Sequence, residues 1–320
     1  MSGLRRIRIL SEKGHRLWNP AGNASEGVTT LRDLIRIHDG PSFLMEAHDA
    51  LSAAIAEKAG FKALWASGLS ISSSLGYRDA SEASWSEVVD VVERMADATS
   101  IPILVDGDSG FGNFNNARLV ARKLRQHGAC GVCLEDQAFP KMNSFVGDRH
   151  PLADIGEFCG RLKAVKDQVP DPEFVLVARI EALIAGHGQD EALVRAHAYA
   201  EAGADAILIH SRKSDAEEIF AFTRAWQNRL PVVIVPTKYY RTPVSEYREA
   251  GISTVIWANH NMRAAMSAMR QVCDRIIREE SIAGIESEVE TLDELFDLLK
   301  YQELSEAEER YLPQTARGDR

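Results

Sequence analysis

The stretch Ile101-Pro-Ile-Leu-Val-Asp-Gly-Asp-Ser-Gly-Phe-Gly-Asn113 reads as an apolar strand over residues 101–106 that ends on carboxylates, breaks on glycines and leads into an amphipathic helix at 115–127. Asp106 and Asp108 stand two apart, so on an extended strand end their side chains share one face. Two carboxylates that close repel, and each pKa rises unless a cation or a hydrogen-bond donor compensates. A hard divalent metal such as Mg²⁺ compensates well, because it takes one or two carboxylates and keeps waters for a substrate oxyanion. The plainer alternative is an Asp turn before a helix. The rest of the chain weighs against it.

The same strand, loop and helix unit recurs. Short β-branched or apolar runs lie at 42–46, 63–66, 101–106, 131–135, 175–179, 206–210, 232–235 and 254–257. Between them lie helix-like segments at 50–59, 85–98, 115–127, 155–168, 190–202, 216–226 and 244–249, several stopping at a glycine suited to a helix C-cap: Gly60, Gly128, Gly203 and Gly251. Continuous apolar strands alternating with helices mean parallel β-structure covered on both faces. Eight units between residues 30 and 260 predict an α/β fold of the (β/α)₈ TIM barrel type rather than an open doubly wound sheet. Thr30-Leu-Arg-Asp33 reads as a capped helix start. Residues 1–28 read as an N-terminal arm, 29–280 as the barrel, and 281–320 as a helical tail with an acidic helix near 291–311.

At 320 residues, 45% of them hydrophobic, the chain can bury a large core. A net charge of −10 argues against a nucleic-acid partner. No apolar run reaches the length of a membrane span and no apolar leader opens the chain, so a soluble, cytoplasmic protein with a small-molecule substrate is expected. Cysteines stand at 130, 133, 159 and 273. Cys130-Gly-Val-Cys133 lies in the run Ala129 to Leu134, which reads as a strand, where side chains three apart point to opposite faces, so buried thiols are expected rather than a redox pair.

In a (β/α)₈ barrel the chemistry sits at the C-terminal strand ends and the loops after them. Here those ends are polar: Glu46, His48 and Asp49; Ser67 to Ser70, then Asp79; Asp106 and Asp108; Glu135 and Asp136; Arg179 and Glu181; His210, Ser211 and Arg212. With neighbouring strands about 4.8 Å apart, Asp106 and Glu135 can reach one metal, directly or through its waters. Arg179 and His210 stand on the following strands. An acidic half holding a divalent cation and a basic half neutralising substrate oxygens describe a site for a small, multiply charged anion. Singly, each residue has a plainer reading, an Arg pairing with a structural Glu or a hydrogen-bonded core His. Their convergence on one rim favours the site.

Six motifs then become recognisable. They are Asp106-Gly-Asp-Ser-Gly-Phe-Gly-Asn-Phe-Asn-Asn116, Leu134-Glu-Asp-Gln-Ala-Phe-Pro-Lys-Met-Asn-Ser144, Ala178-Arg-Ile-Glu-Ala182, Ile209-His-Ser211, Val235-Pro-Thr-Lys-Tyr-Tyr240 and Ile256-Trp-Ala-Asn-His-Asn261. Over residues 30–313 the chain resembles the phosphoenolpyruvate mutase branch of the isocitrate lyase superfamily. The resemblance implies a Mg²⁺-dependent isomerase interconverting phosphoenolpyruvate and phosphonopyruvate, the step that makes the carbon–phosphorus bond in phosphonate biosynthesis. It implies that Asp106 binds Mg²⁺ directly, and Asp108 and Glu135 through metal-bound water. It further implies that the amides of Ser67, Gly68 and Leu69, with Arg179, hold carboxylate and phosphoryl oxygens, and that Trp65, His210 and Ser211 line the pocket. Asp79 matches an aspartate near the migrating phosphoryl group, and Lys141-Met-Asn-Ser-Phe145 matches a gating loop. By the same likeness the eighth barrel helix is exchanged between subunits of a homo-oligomer, a dimer or tetramer.

A metaphosphate-like species must be kept from water, so a lid is needed whose side chains donate hydrogen bonds without delivering a nucleophile. Asn143 and Ser144 are neutral donors and Lys141 supplies positive charge. Three features depart from the family pattern: Gln137 where Lys is usual, a loop one residue shorter between Phe145 and Pro151, and Arg212 where Lys is common. Phosphonopyruvate hydrolase shares nearly the whole site and stands as the alternative. A carbon–carbon lyase would carry a loop cysteine, which residues 140–145 lack. A barrel that binds a partner without catalysis would have no use for these rim charges.

Overall fold

The computed structural model describes residues 29–36, 40–147 and 150–313; the arm at 1–28 lies outside them. Eight parallel strands close into a barrel in sequence order: β1 (Ser42–Ala47), β2 (Ala63–Ala66), β3 (Ile103–Asp106), β4 (Gly131–Glu135), β5 (Val175–Ile180), β6 (Ala206–Ile209), β7 (Val232–Ile234) and β8 (Thr254–Trp257). The helices α1 (Leu31–Ile35), α2 (Ala50–Lys58), α3 (Gly68–Ser74), α4 (Trp85–Ala98), α5 (Phe114–Gln126), α6 (Ile155–Gln168), α7 (Gly188–Glu201), α8 (Glu217–Trp226) and α9 (Val244–Glu249) precede, link and cover the strands. Beyond β8 come α10 (His260–Glu279), α11 (Leu292–Leu298) and α12 (Tyr301–Tyr311).

Alternation along each strand divides the core in two. Leu44, Trp65, Leu104, Cys133, Val177, Leu208, Val233 and Ile256 fill the barrel interior, where Leu31 and Ile35 of α1 join them. The intervening positions, such as Leu64, Val105, Val132, Leu176 and Ile207, meet the helices outside. This period of two decides which rim residues face the site. Helix starts follow local chemistry: Thr30, Asp49, Ser84 and Asn113 each form a reciprocal capping box, as the first of these was expected to.

Three features differ from the sequence reading. The segment after β2 is the short helix α3, capped by Ser67 and pinned by buried Ile71, rather than a loop. The acidic tail is two helices, because Lys300 takes a left-handed conformation between them. And β3 ends at Asp106, with Asp108 already at φ +49°, so the two acids do not share an extended strand. Gly107 between them has no room for a side chain: a Cβ there would lie 2.6 Å from Val132 Cγ2.

Helix α10 buries none of its twenty residues. None of the four cysteines is in a disulfide; Cys133 is buried and Cys130 half-buried just before β4. Among the described residues no helix is long and apolar enough to cross a membrane.

Candidate active site

The C-terminal strand ends open onto a small cavity of about 50 Å³. Its lining includes Trp65, Ser67, Leu69, Asp79, Asp106, Lys141, Asn143, Ser144, Arg179 and His210, all expected from the sequence. Strand register explains the convergence. Asp106 lies beside Cys133 on β4, two residues before Glu135, and Glu135 lies beside Arg179 on β5, so Glu135 and Arg179 are level at the rim and Asp106 sits one inward position below them.

The acidic half centres on Gly68. Its N–H donates to Asp106 Oδ2 at 3.3 Å, and a Cβ built there would meet both Asp106 Oδ2 and Asp108 Oδ1 at 3.1 Å. The turn at Asp108 thus brings together what the strand geometry does not. Burial pushes the Asp108 carboxyl up to about 6, with Asp106 and Asp79 adding to the shift and the Lys141 ammonium opposing it. Burial likewise takes Glu135 to about 8 against the pull of Lys141 and Arg179. Glu135 Oε1 is buried without a hydrogen-bond partner. Surplus negative charge, hard oxygen donors and an orphaned carboxylate oxygen fit a hard divalent cation. Among the described residues no three His, Cys, Asp or Glu side chains come together so as to hold a metal between them. The donors present therefore suit an ion that keeps much of its water shell.

The basic half is built on Arg179. Its guanidinium donates to Glu181 Oε1 at 2.5 Å and to Ser144 Oγ at 2.9 Å, and its Nε lies 3.4 Å from Glu135 Oε2. His210 Nδ1 lies 3.0 Å from both Arg179 and Glu181 Oε1. Burial holds the imidazole below its ordinary pKa, against the pull of Glu181, so it is neutral near pH 7. Its Nε2 has no protein partner. Glu181 is held well below the usual carboxylate range: burial opposes this, but Arg179 and His210 outweigh it. Glu181 was read only as a rim charge, and it proves to be the hub of this half.

A segment at 140–147 closes the cavity. Lys141 Nζ bridges Asp79 Oδ1 at 2.8 Å and Asp108 Oδ1 at 2.6 Å, and Asn143 donates to Asp79 Oδ2 at 2.6 Å. Burial would raise the Asp79 pKa, but Lys141 and Asn143 bring it below its ordinary value. Ser144 Oγ donates to Glu181 Oε2 at 2.8 Å, and the Phe145 ring meets His210 edge-on. Gln137 accepts the N–H of Met142 at 3.1 Å at the base of the segment. A lysine ammonium, which has no acceptor, could not make this bond.

Two groups of expected contacts have protein partners in this structure. Ser211 follows the outward positions Ile207 and Ile209 of its strand, so its hydroxyl donates to Glu218 at 2.6 Å and does not line the cavity. Of the three amides expected to hold substrate oxygens, Ser67 donates to the Ala47 carbonyl at 3.1 Å and Gly68 to Asp106 at 3.3 Å. Other rim charges are structural. Glu46 accepts from His48 and from the Met262 amide at the start of α10, Asp49 caps α2, and Asp136 is buried against Arg195 and Tyr199. Val235, Thr237, Ala258 and Asn259 line the cavity without having been singled out as site residues. The alternation is the signal for three of them: Val235 and Thr237 continue the inward positions from Val233, and Ala258 continues from Ile256.

Residues 31–277 match the family described as phosphoenolpyruvate phosphomutase. The phosphoenolpyruvate phosphomutase of Tetrahymena pyriformis is 51% identical over 291 residues, covering 91% of this chain and 97% of that protein. The crystal structure of phosphoenolpyruvate phosphomutase from Streptomyces platensis subsp. rosaceus superposes with a TM-score of 0.87 at 41% identity, over 90% of this chain and 100% of that one. A phosphonopyruvate hydrolase in complex with oxalate and Mg²⁺ superposes with a TM-score of 0.81 at 38% identity, over 86% and 95% of the two chains.

Proposed function

The chain belongs to the phosphoenolpyruvate phosphomutase family, and from that premise we propose that it is a Mg²⁺-dependent isomerase interconverting phosphoenolpyruvate and phosphonopyruvate. The observation that carries the reading is the closed segment itself. Lys141, Asn143 and Ser144 are drawn into the cavity by Asp79, Asp108 and Glu181, which excludes bulk water from the place where a phosphoryl group would migrate.

The roles follow from charge. Asp106 would hold Mg²⁺ directly, with Asp108 and Glu135 acting through its waters, and the ion would neutralise substrate oxygens. Arg179 and the Leu69 amide would hold the carboxylate and phosphoryl oxygens, with Trp65 and Ser67 forming the wall behind them. His210 is neutral, so Nε2 can hold a hydrogen bond to substrate without adding charge. Asp79 would face the migrating group while Asn143 and Ser144 donate to its oxygens. Such a transfer asks for positioning and charge stabilisation more than for covalent help. The product serves phosphonate biosynthesis in this reading, in a reducing cytoplasm, which the four free cysteines suit.

The test is ³¹P NMR of the protein with phosphonopyruvate and Mg²⁺, with and without chelator. A phosphoenolpyruvate signal ahead of inorganic phosphate, abolished by chelator, is expected; Asp106→Asn should then fail to respond to added Mg²⁺. Inorganic phosphate with pyruvate as the direct products would make it a hydrolase. Turnover that survives chelation would remove the metal from the account.

We also propose that α10 is exchanged between subunits, giving a dimer or tetramer. Met266, Met269 and Ile277 on α10 are exposed, as are Leu51 and Ile55 on α2 and Phe43 on β1. The described part of the tail, 281–313, would dock on the same assembly. A monomer mass by light scattering at micromolar concentration would refute the exchange.

A further inference from the structure

We propose that Arg212 is a positioning residue of the reaction, a latch that holds the segment at 140–147 shut over the cavity; this rests on the function proposed above. Arg212 lies two residues beyond His210 in the loop after β6. One nitrogen of its guanidinium donates to the Ser144 carbonyl at 2.7 Å and lies 3.0 Å from His150 Nε2. A single cation thus ties Ser144 of the segment to the loop after β6 and to His150 beyond the segment. His150 is itself 5% exposed; because a guanidinium only donates, this bond uses the Nε2 lone pair, whereas the Gly147 carbonyl 3.3 Å from the same atom would need the other tautomer.

The place of attachment matters more than the bond. Ser144 stands between Asn143, which reaches Asp79, and Phe145, which meets His210 edge-on. Its own hydroxyl bridges Glu181 and Arg179. Fixing its carbonyl therefore sets the depth of three consecutive side chains that line the cavity. A second cation from the neighbouring loop assists, since Lys238 Nζ lies 4.9 Å from the centre of the Phe145 ring. On the opposite side Lys141 and Asn143 grip Asp79, and the Lys141 amide donates to Ser81 Oγ. The segment is thus held from both sides of the mouth. With about 50 Å³ inside, a phosphorylated three-carbon acid enters only when this segment swings away, so the latch is broken and remade in each turnover.

Of the two partners of Arg212, Ser144 lies on the segment and His150 just beyond it, and neither is a barrel strand residue. Loss of the guanidinium should loosen the lid while leaving the barrel intact. Hydrogen exchange of the ligand-free protein tests this for Arg212→Met and Arg212→Lys. The Phe145 and Val146 amides, which bond Asn143 Oδ1 and O, should exchange about tenfold faster or more in Arg212→Met, the range for a lost hydrogen bond to a charged group. Amides of β5 should be unchanged, and Arg212→Lys, which keeps a donor, should stay within about threefold of wild type. With phosphonopyruvate and Mg²⁺, Arg212→Met should raise the fraction of phosphorus released as inorganic phosphate and lower kcat/KM. Unchanged exchange at Phe145 and Val146 overturns the latch. Faster exchange with unchanged product partition and unchanged kcat/KM overturns the positioning role. If the wild type makes no isomer at all, the proposed reaction fails, while the exchange comparison still decides the latch.

Discussion

Arg179→Met is expected to destabilise the metal-free protein by about 3–5 kcal/mol near neutral pH, the cost of stripping one partner from a buried ion pair. The guanidinium is enclosed by Glu181, Glu135 and His210, and all three sit at strand ends that cannot turn to water without opening the barrel. The pH dependence identifies the cause. In the wild type the depressed Glu181 carboxyl contributes stability that is present above its unfolded value of 4.5 and is lost as pH falls toward the lower folded value. Without Arg179, His210 alone opposes the burial of Glu181 and is itself freed from the repulsion of Arg179, so the pair holds a proton more readily. The sign then reverses: the folded state binds more protons than the unfolded one, and stability falls as pH rises. The deficit should therefore be largest near pH 8 and shrink toward about pH 5. Urea unfolding of both proteins with chelator at the two pH values measures it. An equal deficit at both would mean that Arg179 does not compensate these acids.

The fold was legible because a parallel barrel buries most of both faces of its strands, so most of the eight wrote themselves as apolar runs such as Val175-Leu-Val-Ala178. Helix α3 was not. Gly68-Leu-Ser-Ile-Ser-Ser-Ser74 is poor in helix formers, and it is helical because Ser67 caps it and the core takes Ile71. At the rim, the charges were visible but their direction was less so. Side-chain alternation carries part of that direction. On β6 it sends Leu208 and His210 inward and Ser211 outward, and on β4 it sends Glu135 inward and Asp136 out to Arg195 and Tyr199. It does not settle Glu46, which is inward by parity yet is used to fasten the start of α10. Nor does it foresee the left-handed turn at Asp108, a conformation that aspartate tolerates and the sequence does not announce.

Lys141→Met should behave as the opposite of Arg179→Met, with a large loss of activity and a small loss of stability. The ammonium is nearly buried between Asp79 and Asp108, and burial alone would lower its pKa; Asp108, Asp79, Glu135 and Asp106 together hold it well above the ordinary lysine value. It is therefore charged throughout the working range, and removing it returns like charges to mutual repulsion. Lys141, unlike Arg179, rides on a segment that can swing out and let water reach the acids. The penalty then falls on lid closure rather than on the barrel, and global stability should drop by less than about 1 kcal/mol. Catalysis has no such escape. A closed lid brings Asn143 and Ser144 to the cavity, and the missing cation no longer balances the acids beside a multiply anionic substrate. Turnover should fall by roughly 10²- to 10³-fold, the scale seen when one preorganised electrostatic group is removed. The same change should not weaken Mg²⁺ binding, since the ammonium lies 2.6 Å from an Asp108 oxygen and competes for its charge. Kinetics alongside Mg²⁺ titration followed by thermal shift separates these effects. Weaker Mg²⁺ binding in the variant would mean that Lys141 organises the acidic half of the site, and that its bridge to Asp79 and Asp108 is part of the metal centre and not of the lid.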